Sequence, residues 1–209
     1  MRNRLTSQWK KYWAERKIDW KTRYFDTQNH PHRKRIIEIL SGLKWFSLFE
    51  IGMGAGANLV NIVRHFKQVQ VGGIDVSEDA VEVAKRYLNG ALLKVGSVED
   101  IMLSDNSVDI VLSDMALMYV DPFKIDKVLE EIKRVGRSHV VFCELVSKNW
   151  WQQLKMLISS GYHAHQYKKL LEKHDFYNII EYKLTKEDWP EGDQEKFGYI
   201  ITAKINKKR

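Results

Sequence analysis

The residues best suited to chemistry in this sequence form a glycine-rich turn after a short apolar run. Residues 49–57 read FEIGMGAGA, with glycines at positions 52, 54 and 56. Glycines let a backbone turn tightly and approach a ligand, because no Cβ stands in the way. Asp75 ends the next apolar run, where a carboxylate can accept hydrogen bonds from both ribose hydroxyls of a nucleoside. Gly52, Gly54, Gly56 and Asp75 therefore predict a site for a nucleoside-containing cofactor.

The glycine turn alone does not choose between two cofactor classes. Gly52, Gly54 and Ala57 also fit the Gly-x-Gly-x-x-Ala pattern of dinucleotide-binding proteins, which keeps an NAD-dependent dehydrogenase as an alternative. Glu50 argues against it, since a carboxylate two residues before the first glycine adds little to a loop that binds pyrophosphate. A hairpin expected at the end of the sheet also argues against it, because a dinucleotide-binding sheet continues into a second mononucleotide-binding half.

The elements that position these residues follow from short apolar runs that alternate with helical periods. The runs predict seven strands, at residues 48–51, 69–75, 91–95, 108–113, 140–144, 177–184 and 197–203. Helices are predicted between the first five strands, at 57–65, 78–88 and 125–134. This alternation is typical of a parallel sheet, whereas the last two strands, joined by a polar turn at 185–196, should pair antiparallel. The predicted fold class is α/β, a doubly wound, mostly parallel seven-stranded sheet with helices on both faces, a C-terminal antiparallel hairpin and an N-terminal helical extension.

The chain is expected to consist of two segments. Residues 1–44 are predicted to be a helical segment packed on the core, and residues 45–209 a Rossmann-like domain. In the first segment an aromatic stripe with i, i+3, i+4, i+7 spacing predicts a helix packed on the main body, with direct ligand contact as the alternative. The stripe consists of Trp9, Tyr12, Trp13 and Arg16. A second helix is predicted over residues 32–40.

Charge is distributed unevenly along the chain. The 34 basic and 27 acidic residues give a net charge of +7. Residues 1–35 hold eleven basic and three acidic side chains, and residues 204–209 add four basic ones, which leaves a net charge of −5 on residues 36–203. Basic ends favour anionic partners such as nucleic acid, a phosphorylated small molecule or an anionic membrane surface. The alternative is that they only keep the protein soluble.

Several protein classes are not expected from this sequence. No apolar run reaches the ~18 residues of a membrane span, and the opening residues lack the apolar stretch of a secretory signal, so a cytoplasmic protein is expected. The single cysteine, Cys143, cannot form an internal disulfide and is expected in the core. His163 and His165 have no Asp or Cys close by in sequence, so no metal site is expected.

Taken together, these residues resemble the class I S-adenosylmethionine-dependent methyltransferases, and the resemblance runs from about Trp45 to Ala203. It rests on the pattern Glu-x-Gly-x-Gly-x-Gly at residues 50–56 and on Asp75 at the end of the second predicted strand. The resemblance implies a Rossmann-like methyltransferase domain at residues 45–209. It also implies an enzyme whose cofactor is S-adenosyl-L-methionine.

The resemblance further implies which residues bind the cofactor. The glycine turn would surround the methionine part, the segment after the second strand would bind ribose and adenine, and the segment after the third would read the adenine. The segment after the fourth strand would lie at the methionine end. Many relatives carry an acidic residue at the position of Ser97, so the contact to the adenine amine differs here. The implied cofactor-binding residues are Glu50, Gly52, Gly54, Gly56, Asp75, Val76, Ser97, Val98, Asp114 and Met115.

The methyl acceptor is expected on the same side of the sheet, because ligands of open α/β sheets bind beyond the carboxyl ends of the strands. The loops at 114–119, 144–151 and 185–196 remain for it. The side chains of interest there are Tyr119, Glu144, Asn149, Trp150, Trp151 and Trp189. The candidate catalytic residues are His165, Tyr119 and Glu144. Residues 30–33, HPHR, either cap the carboxylate of the cofactor or start a helix.

The leading functional hypothesis is methyl transfer to an oxygen or nitrogen atom of a small molecule, with sugars and anionic compounds among the candidates. An RNA or nucleotide methyltransferase that uses the basic N-terminal segment is a less favoured alternative. A hypothesis of another class is a non-catalytic protein that binds S-adenosylmethionine as a ligand or sensor. The sequence does not define an oligomeric state.

Overall fold

The computed structural model describes residues 3–191 and 196–207. One seven-stranded sheet forms its centre, with β1 (Ser47–Ile51), β2 (Gln70–Asp75), β3 (Leu92–Val95), β4 (Val108–Asp114), β5 (Gly136–Leu145), β6 (Phe176–Lys183) and β7 (Gly198–Ile205). The strands lie in the order β3-β2-β1-β4-β5-β7-β6. Strands β1 to β5 pair parallel, and β7 pairs antiparallel with both β5 and β6. The predicted fold class is confirmed, including the antiparallel hairpin.

Eight α-helices accompany the sheet in the described part of the chain. They are α1 (Asn3–Glu15), α2 (Trp20–Arg23), α3 (Pro31–Ser41), α4 (Ala57–His65), α5 (Glu78–Lys85), α6 (Ile125–Val135), α7 (Trp150–Ser160) and α8 (Tyr167–Lys173). Two 3₁₀ turns lie at Phe25–Asn29 and Leu117–Tyr119. None of the described helices combines the length and apolar character needed to cross a bilayer.

The structure differs from the predicted elements mainly between β4 and β6. Strand β5 begins at Gly136, four residues before the predicted start at Val140. Because residues 137–139 are polar, the apolar pattern does not indicate this part of the strand. It is nevertheless paired, since His139 opposes Ile110 of β4. Helix α7 was not predicted; the side chain of Asn149 caps it by accepting a hydrogen bond from the backbone N–H of Gln152 (3.0 Å).

Apolar side chains cover both faces of the sheet, which explains why β1 is buried at all five positions. Helices α4 and α5 pack against one face through Leu59, Ile62, Val81 and Ala84. Helices α6 and α8 pack against the other through Val128, Leu129, Ile132 and Leu171. Strands covered on both sides read as continuous apolar runs, as the sequence does.

Backbone hydrogen bonds join the carboxyl ends of the central strands. The N–H groups of Gly52 and Met53, just after β1, donate to the carbonyl of Ile74 in β2 (2.8 and 3.1 Å). The N–H of Met115, just after β4, donates to the carbonyl of Cys143 in β5 (2.8 Å). The loops that follow these strands are therefore held at one edge of the sheet.

The N-terminal helices reach this same edge. Trp9 of α1 contacts Tyr119, with ring centroids 5.0 Å apart, and its indole N–H donates to the carbonyl of Gly161 (3.1 Å). Some of the features noted in the sequence lie outside the described residues, namely Arg2, Lys208 and Arg209 of the basic ends and residues 192–195 of the predicted polar turn.

Candidate functional site

A cavity of about 780 Å³ opens at the carboxyl ends of β1, β2, β3 and β4. Ligand sites typically enclose about 300–1,000 Å³, so this cavity has room for more than a small metabolite. Its lining includes nine of the ten residues expected to bind the cofactor: Glu50, Gly52, Gly54, Asp75, Val76, Ser97, Val98, Asp114 and Met115. The remaining one, Gly56, is not among the lining residues.

The three glycines of the turn have different structural tasks. All adopt positive φ angles, +66° at Gly52, +53° at Gly54 and +81° at Gly56, a region that side chains disfavour. A Cβ on Gly52 would lie 2.3 Å from the Cβ of Ala116, and one on Gly56 would lie 2.8 Å from Leu88 Cδ1. A Cβ on Gly54 would meet nothing closer than Trp20, at 4.0 Å. Gly54 is thus the glycine that leaves space for a ligand, whereas Gly52 and Gly56 permit packing between protein segments.

Asp75 is held at the wall of the cavity by backbone donors. Its Oδ2 accepts from the N–H of Gly54 (2.8 Å), and its Oδ1 accepts from the N–H of Ser77 (2.9 Å). Burial raises the pKa of the Asp75 carboxyl, and these backbone hydrogen bonds oppose that rise. Each oxygen keeps a lone pair for a further donor. The glycine turn and the carboxylate are therefore linked directly to each other.

A polar cluster lies at the bottom of the cavity, around Asp114. Its Oδ2 accepts from Arg33 Nη1 (2.8 Å) and Asn58 Nδ2 (2.9 Å) and lies 3.0 Å from His32 Nε2. The same amide of Asn58 donates to Oε1 of Glu50 (2.6 Å). The cluster joins β1, α3, α4 and β4, so each of these elements helps to shape the cavity.

The two carboxyl groups of this cluster, on Glu50 and Asp114, differ in charge. Burial raises the pKa of Glu50 to about 8, and its hydrogen bond from Asn58 offsets this only in part. Burial would raise the pKa of Asp114 too, but the nearby charges of His32 and Arg33 hold it well below its usual range. At neutral pH the site therefore holds one neutral and one ionised carboxyl.

Two histidines and a tryptophan flank the cluster. Nδ1 of His30 lies 2.5 Å from Nδ1 of His32. The indole of Trp189 stacks on the ring of His32, with centroids 4.3 Å apart, and also contacts His30 at 4.7 Å. The helix start expected at residues 30–33 is present, since His30 precedes the first turn of α3, and His30, His32 and Arg33 also line the cavity.

The loop after β3 forms the opposite end of the cavity. Ser97 and Val98 belong to this loop, and Val76, which follows Asp75 after β2, lines the cavity with them. Arg134 of α6 fixes the following residues by donating to the carbonyls of Ile101 and Leu103 (both 2.7 Å). An apolar surface with backbone polar groups suits a flat base, and it adjoins the carboxylate expected to bind a ribose.

Aromatic side chains form the wall beside the polar cluster. Tyr119 lies at its centre, with ring centroids 5.0 Å from Trp9, 5.2 Å from Trp13 and 5.5 Å from Tyr162. Tyr24 also lines the cavity. Burial raises the pKa of the Tyr119 phenol, helped by the hydroxyl of Tyr162, so the phenol stays neutral. The stripe of α1 therefore packs on the main body and also borders the cavity.

The three candidate catalytic residues lie in different positions. Tyr119 lines the cavity, whereas Glu144 and His165 are buried and are not among its lining residues. Glu144 accepts from the N–H groups of Ala116 and Leu117 (2.9 Å each), and His165 Nε2 lies 3.2 Å from the carbonyl of Leu117. Glu144 and His165 therefore contact the loop after β4 from outside the cavity. Burial raises the pKa of Glu144 to about 7 and lowers that of His165 to about 4.

Most of the other side chains expected near the acceptor lie elsewhere. Trp150 and Trp151 are exposed on the first turn of α7 and stack on each other, with centroids 3.7 Å apart. Asn149 serves as the cap of that helix. Trp189 is the member of this group, besides Tyr119, that lines the cavity.

Several residues that line the cavity are not indicated by the sequence. Asn58 lies in an apolar helix and carries no motif, and Thr27, Trp20 and Tyr24 belong to the connection between α1 and α3. Only tertiary contacts bring them to the cavity. In the described part of the chain no three His, Cys, Asp or Glu side chains are grouped as metal ligands.

Comparison with protein families and curated proteins gives two matches. Residues 48–139 match the sequence model of a family described as a methyltransferase domain. Ribosomal protein L11 methyltransferase of Dictyoglomus turgidum is 26% identical over 163 residues, which are 75% of this chain and 51% of that protein. The chain thus spans about half the length of this relative.

Comparison with solved structures gives similar folds along nearly the whole chain. A possible histamine N-methyltransferase of Thermotoga maritima has a TM-score of 0.66 and 16% identity, covering 97% of this chain and 100% of that one. Geranyl diphosphate C-methyltransferase of Streptomyces coelicolor, solved with S-adenosyl-L-homocysteine, has a TM-score of 0.72 and 15% identity, with 97% and 98% coverage. Magnesium protoporphyrin IX methyltransferase of Synechocystis, with bound S-adenosylmethionine, has a TM-score of 0.65 and 13% identity, with 96% and 90% coverage. At these identities the likeness shows the fold.

Proposed function

We propose that the chain is a class I S-adenosylmethionine-dependent methyltransferase that transfers a methyl group to an oxygen or nitrogen atom of a small molecule bound in the cavity; the match of residues 48–139 to a methyltransferase-domain family supports this. The family expected from the glycine turn and Asp75 is confirmed. The observation that carries the proposal is a single cavity lined by that turn, a buried strand-end carboxylate and a charged cluster.

The charged cluster fits the methionine end of S-adenosylmethionine. Oε2 of Glu50 is buried without a hydrogen-bond partner among the described residues; an ammonium group bound beside it would donate to it and would favour the ionised carboxylate over the neutral form that burial favours. Arg33 uses four N–H groups on Thr27, Asn58 and Asp114. A guanidinium has five, so one remains for a carboxylate. The amino acid part of the cofactor offers both an ammonium and a carboxylate.

The remaining cavity fits the adenosyl part. The free lone pairs of Asp75 would accept from the ribose hydroxyls, and Val76 and Val98 would lie against the base. When bound, S-adenosylmethionine supplies a methyl group on a sulfonium for in-line attack by an acceptor lone pair. The contribution of the chain is to hold both partners in line, an orientation effect worth up to ~7–11 kcal/mol.

The acceptor would bind between the polar cluster and the aromatic wall of Trp9, Trp13 and Tyr119. Because α1 carries two of these rings across the cavity, the space suits a small molecule better than a folded macromolecule. The names of the compared proteins include ribosomal protein L11, geranyl diphosphate and magnesium protoporphyrin IX, so they do not select one acceptor. The proposal for the acceptor class therefore rests on the cavity.

The variant Asp75→Ala tests the cofactor site. It removes one or two charge-assisted hydrogen bonds, each worth roughly 1.5–3 kcal/mol, so the affinity for S-adenosylhomocysteine should fall at least about tenfold. Isothermal titration calorimetry measures this, with circular dichroism to verify the fold. Asp79→Ala is the matched control, since Asp79 pairs with Lys17 at the surface. Equal affinities in the two variants would contradict the proposed site.

Two further measurements address the alternatives. Formation of S-adenosylhomocysteine with any member of an acceptor panel would argue against a non-catalytic binding protein. Binding to RNA through several phosphate contacts should weaken steeply between low and moderate salt, whereas binding of a neutral small acceptor should change little. A steep salt dependence of turnover would favour the RNA alternative.

A further inference from the structure

We propose that His30, His32 and Asp114 form a proton relay in which His30 takes the proton from the acceptor atom that becomes methylated. The inference rests on the proposed methyl transfer and adds a general base to it. The three side chains are in continuous contact: 2.5 Å separates the Nδ1 atoms of His30 and His32, and 3.0 Å separates His32 Nε2 from Asp114 Oδ2.

The partners determine which ring nitrogens carry protons. Asp114 is ionised and already accepts a hydrogen bond from Arg33, so His32 must donate to it from a protonated Nε2. The Nδ1 atoms of His32 and His30 face each other at 2.5 Å, so one proton lies between them; the relay places it on His30, and Nδ1 of His32 accepts. This arrangement leaves the lone pair of His30 on Nε2.

The imidazole rings of His30 and His32 differ in how far they are exposed to the cavity. His30 is only half-buried and lines the cavity, whereas His32 has 3% of its surface exposed. No described residue hydrogen bonds to Nε2 of His30. This nitrogen is therefore the atom of the relay that can meet an acceptor, and His32 and Asp114 are positioning residues behind it.

The surroundings of His30 keep this ring neutral. Burial lowers the pKa of His30, and the charges of His32 and Arg33 lower it further, while Asp114 and Glu191 oppose them. The positive N-terminal end of α3 also disfavours charge on both rings. His32, unlike His30, touches the Asp114 carboxylate. Trp189 stacks on His32, and an indole face attracts a cation.

Two proton transfers carry one net proton from the acceptor to His32, and no group of the chain is oxidised or reduced. The acceptor X–H gives its proton to His30 Nε2, and the Nδ1 proton of His30 passes to His32 Nδ1, which makes His32 an imidazolium beside Asp114. The freed lone pair of X forms the X–C bond while the C–S bond breaks and its electron pair stays on sulfur. The extra proton later leaves to solvent through His30. An acceptor that carries a proton on its attacking atom is the class that needs this base.

Nuclear magnetic resonance tests the relay without an acceptor. Long-range ¹H–¹⁵N spectra of the full chain, labelled at its seven histidines and saturated with S-adenosylhomocysteine, report which ring nitrogens carry protons. Loss of signals in His30→Asn and His32→Gln assigns them. At pH 7.5 we expect a proton on Nδ1 alone in His30 and on Nε2 alone in His32. A proton on Nε2 of His30, in a neutral or charged ring, would overturn the relay.

Kinetics with an acceptor from the panel provide the second test. His30→Asn keeps an amide N–H for His32 but has no base, so kcat should fall about 10²–10⁴-fold. The affinity for S-adenosylhomocysteine should change by less than about threefold. In His32→Gln the acid limb of the kcat–pH profile should move, because His30 then titrates alone. An unchanged kcat in His30→Asn would overturn the relay alone, whereas unchanged binding in Asp75→Ala would overturn the proposed cofactor site.

Discussion

Two residues of the site show how neighbouring groups determine the charge of a buried carboxyl. Glu50 and Asp114 are both buried carboxyls that contact the amide of Asn58. Of the two carboxyls, only Asp114 contacts Arg33 and His32, which lower its pKa, so Asp114 is ionised and Glu50 is largely neutral at pH 7. The sequence predicts that both belong to the site. It does not predict their charge, because Asn58 lies in α4 and Arg33 and His32 lie in α3, and only the tertiary fold brings the two helices to the carboxyls.

Glu50 makes the stability of the protein depend on pH. Its pKa is about 8 in the folded chain and about 4.5 when unfolded, so between these values the folded state binds more protons. The free energy of unfolding contributed by this group therefore falls as the pH rises from about 4.5 to 8. We expect Glu50→Gln to remove this loss, so that its melting temperature relative to the unmodified protein rises between pH 6 and 8.5.

Thermal unfolding at the two pH values measures the effect. A difference of about 1 kcal/mol corresponds to about 2–4 °C in a chain of this size. Glu130→Gln, at an exposed position of α6, is the control and should show no such divergence. Parallel curves for Glu50→Gln and the unmodified protein would mean that Glu50 is charged in the folded state.

Among the elements, strands and turns are more predictable than the segments that complete the cavity. Every predicted strand exists. For the central strands β1, β4 and β5 the reason is burial on both faces, which produces apolar runs that need no tertiary information. Helix α7 was missed, and its adjacent Trp150 and Trp151 were expected near the acceptor. Their indoles instead stack on each other in solvent. Aromatic character alone does not distinguish an exposed pair from a cavity wall.

The glycine turn provides a prediction at this scale. Gly52→Ala should lower the free energy of unfolding by about 1–3 kcal/mol more than Gly90→Ala, because its Cβ would lie 2.3 Å from Ala116 Cβ. Gly90 has a similarly positive φ (+82° against +66°) but no atom within 4 Å of an added Cβ. Backbone strain is therefore matched, and only the clash differs. Urea unfolding of both variants measures it, and equal losses would mean that the loop after β4 moves aside freely.

In the whole molecule, stability is distributed unevenly around the cavity. Helix α6 buries Ile125, Val128, Leu129, Ile132 and Val135 in the core. Helix α1 is joined to the body at the cavity rim, where Trp9 and Trp13 contact Tyr119. A helix of 13 residues is marginal in water without such packing. The aromatic stripe in the sequence predicts that this helix packs on the main body, as these contacts do, whereas the charge pattern carries no such information.

Hydrogen exchange tests this distribution. The amides of α1 should exchange faster than those of α6, since none of the described side chains of α1, at residues 9–15, is buried. Saturation with S-adenosylhomocysteine should slow exchange in α1, because its aromatic rings border the cavity. Mass spectrometry of peptides from both helices measures this. Exchange in α1 as slow as in α6, or unaffected by the ligand, would contradict the inferred weak attachment.

The position of β7 has a consequence for how the chain acquires its structure. This strand is synthesised after β6, yet it lies between β5 and β6 and pairs with both. Until residues 198–205 leave the ribosome, β5 has an open edge and β6 has no partner. Such edges are prone to pairing with other chains. The last-made strand therefore completes the sheet, and a nascent chain that stalls before it is the form most exposed to aggregation.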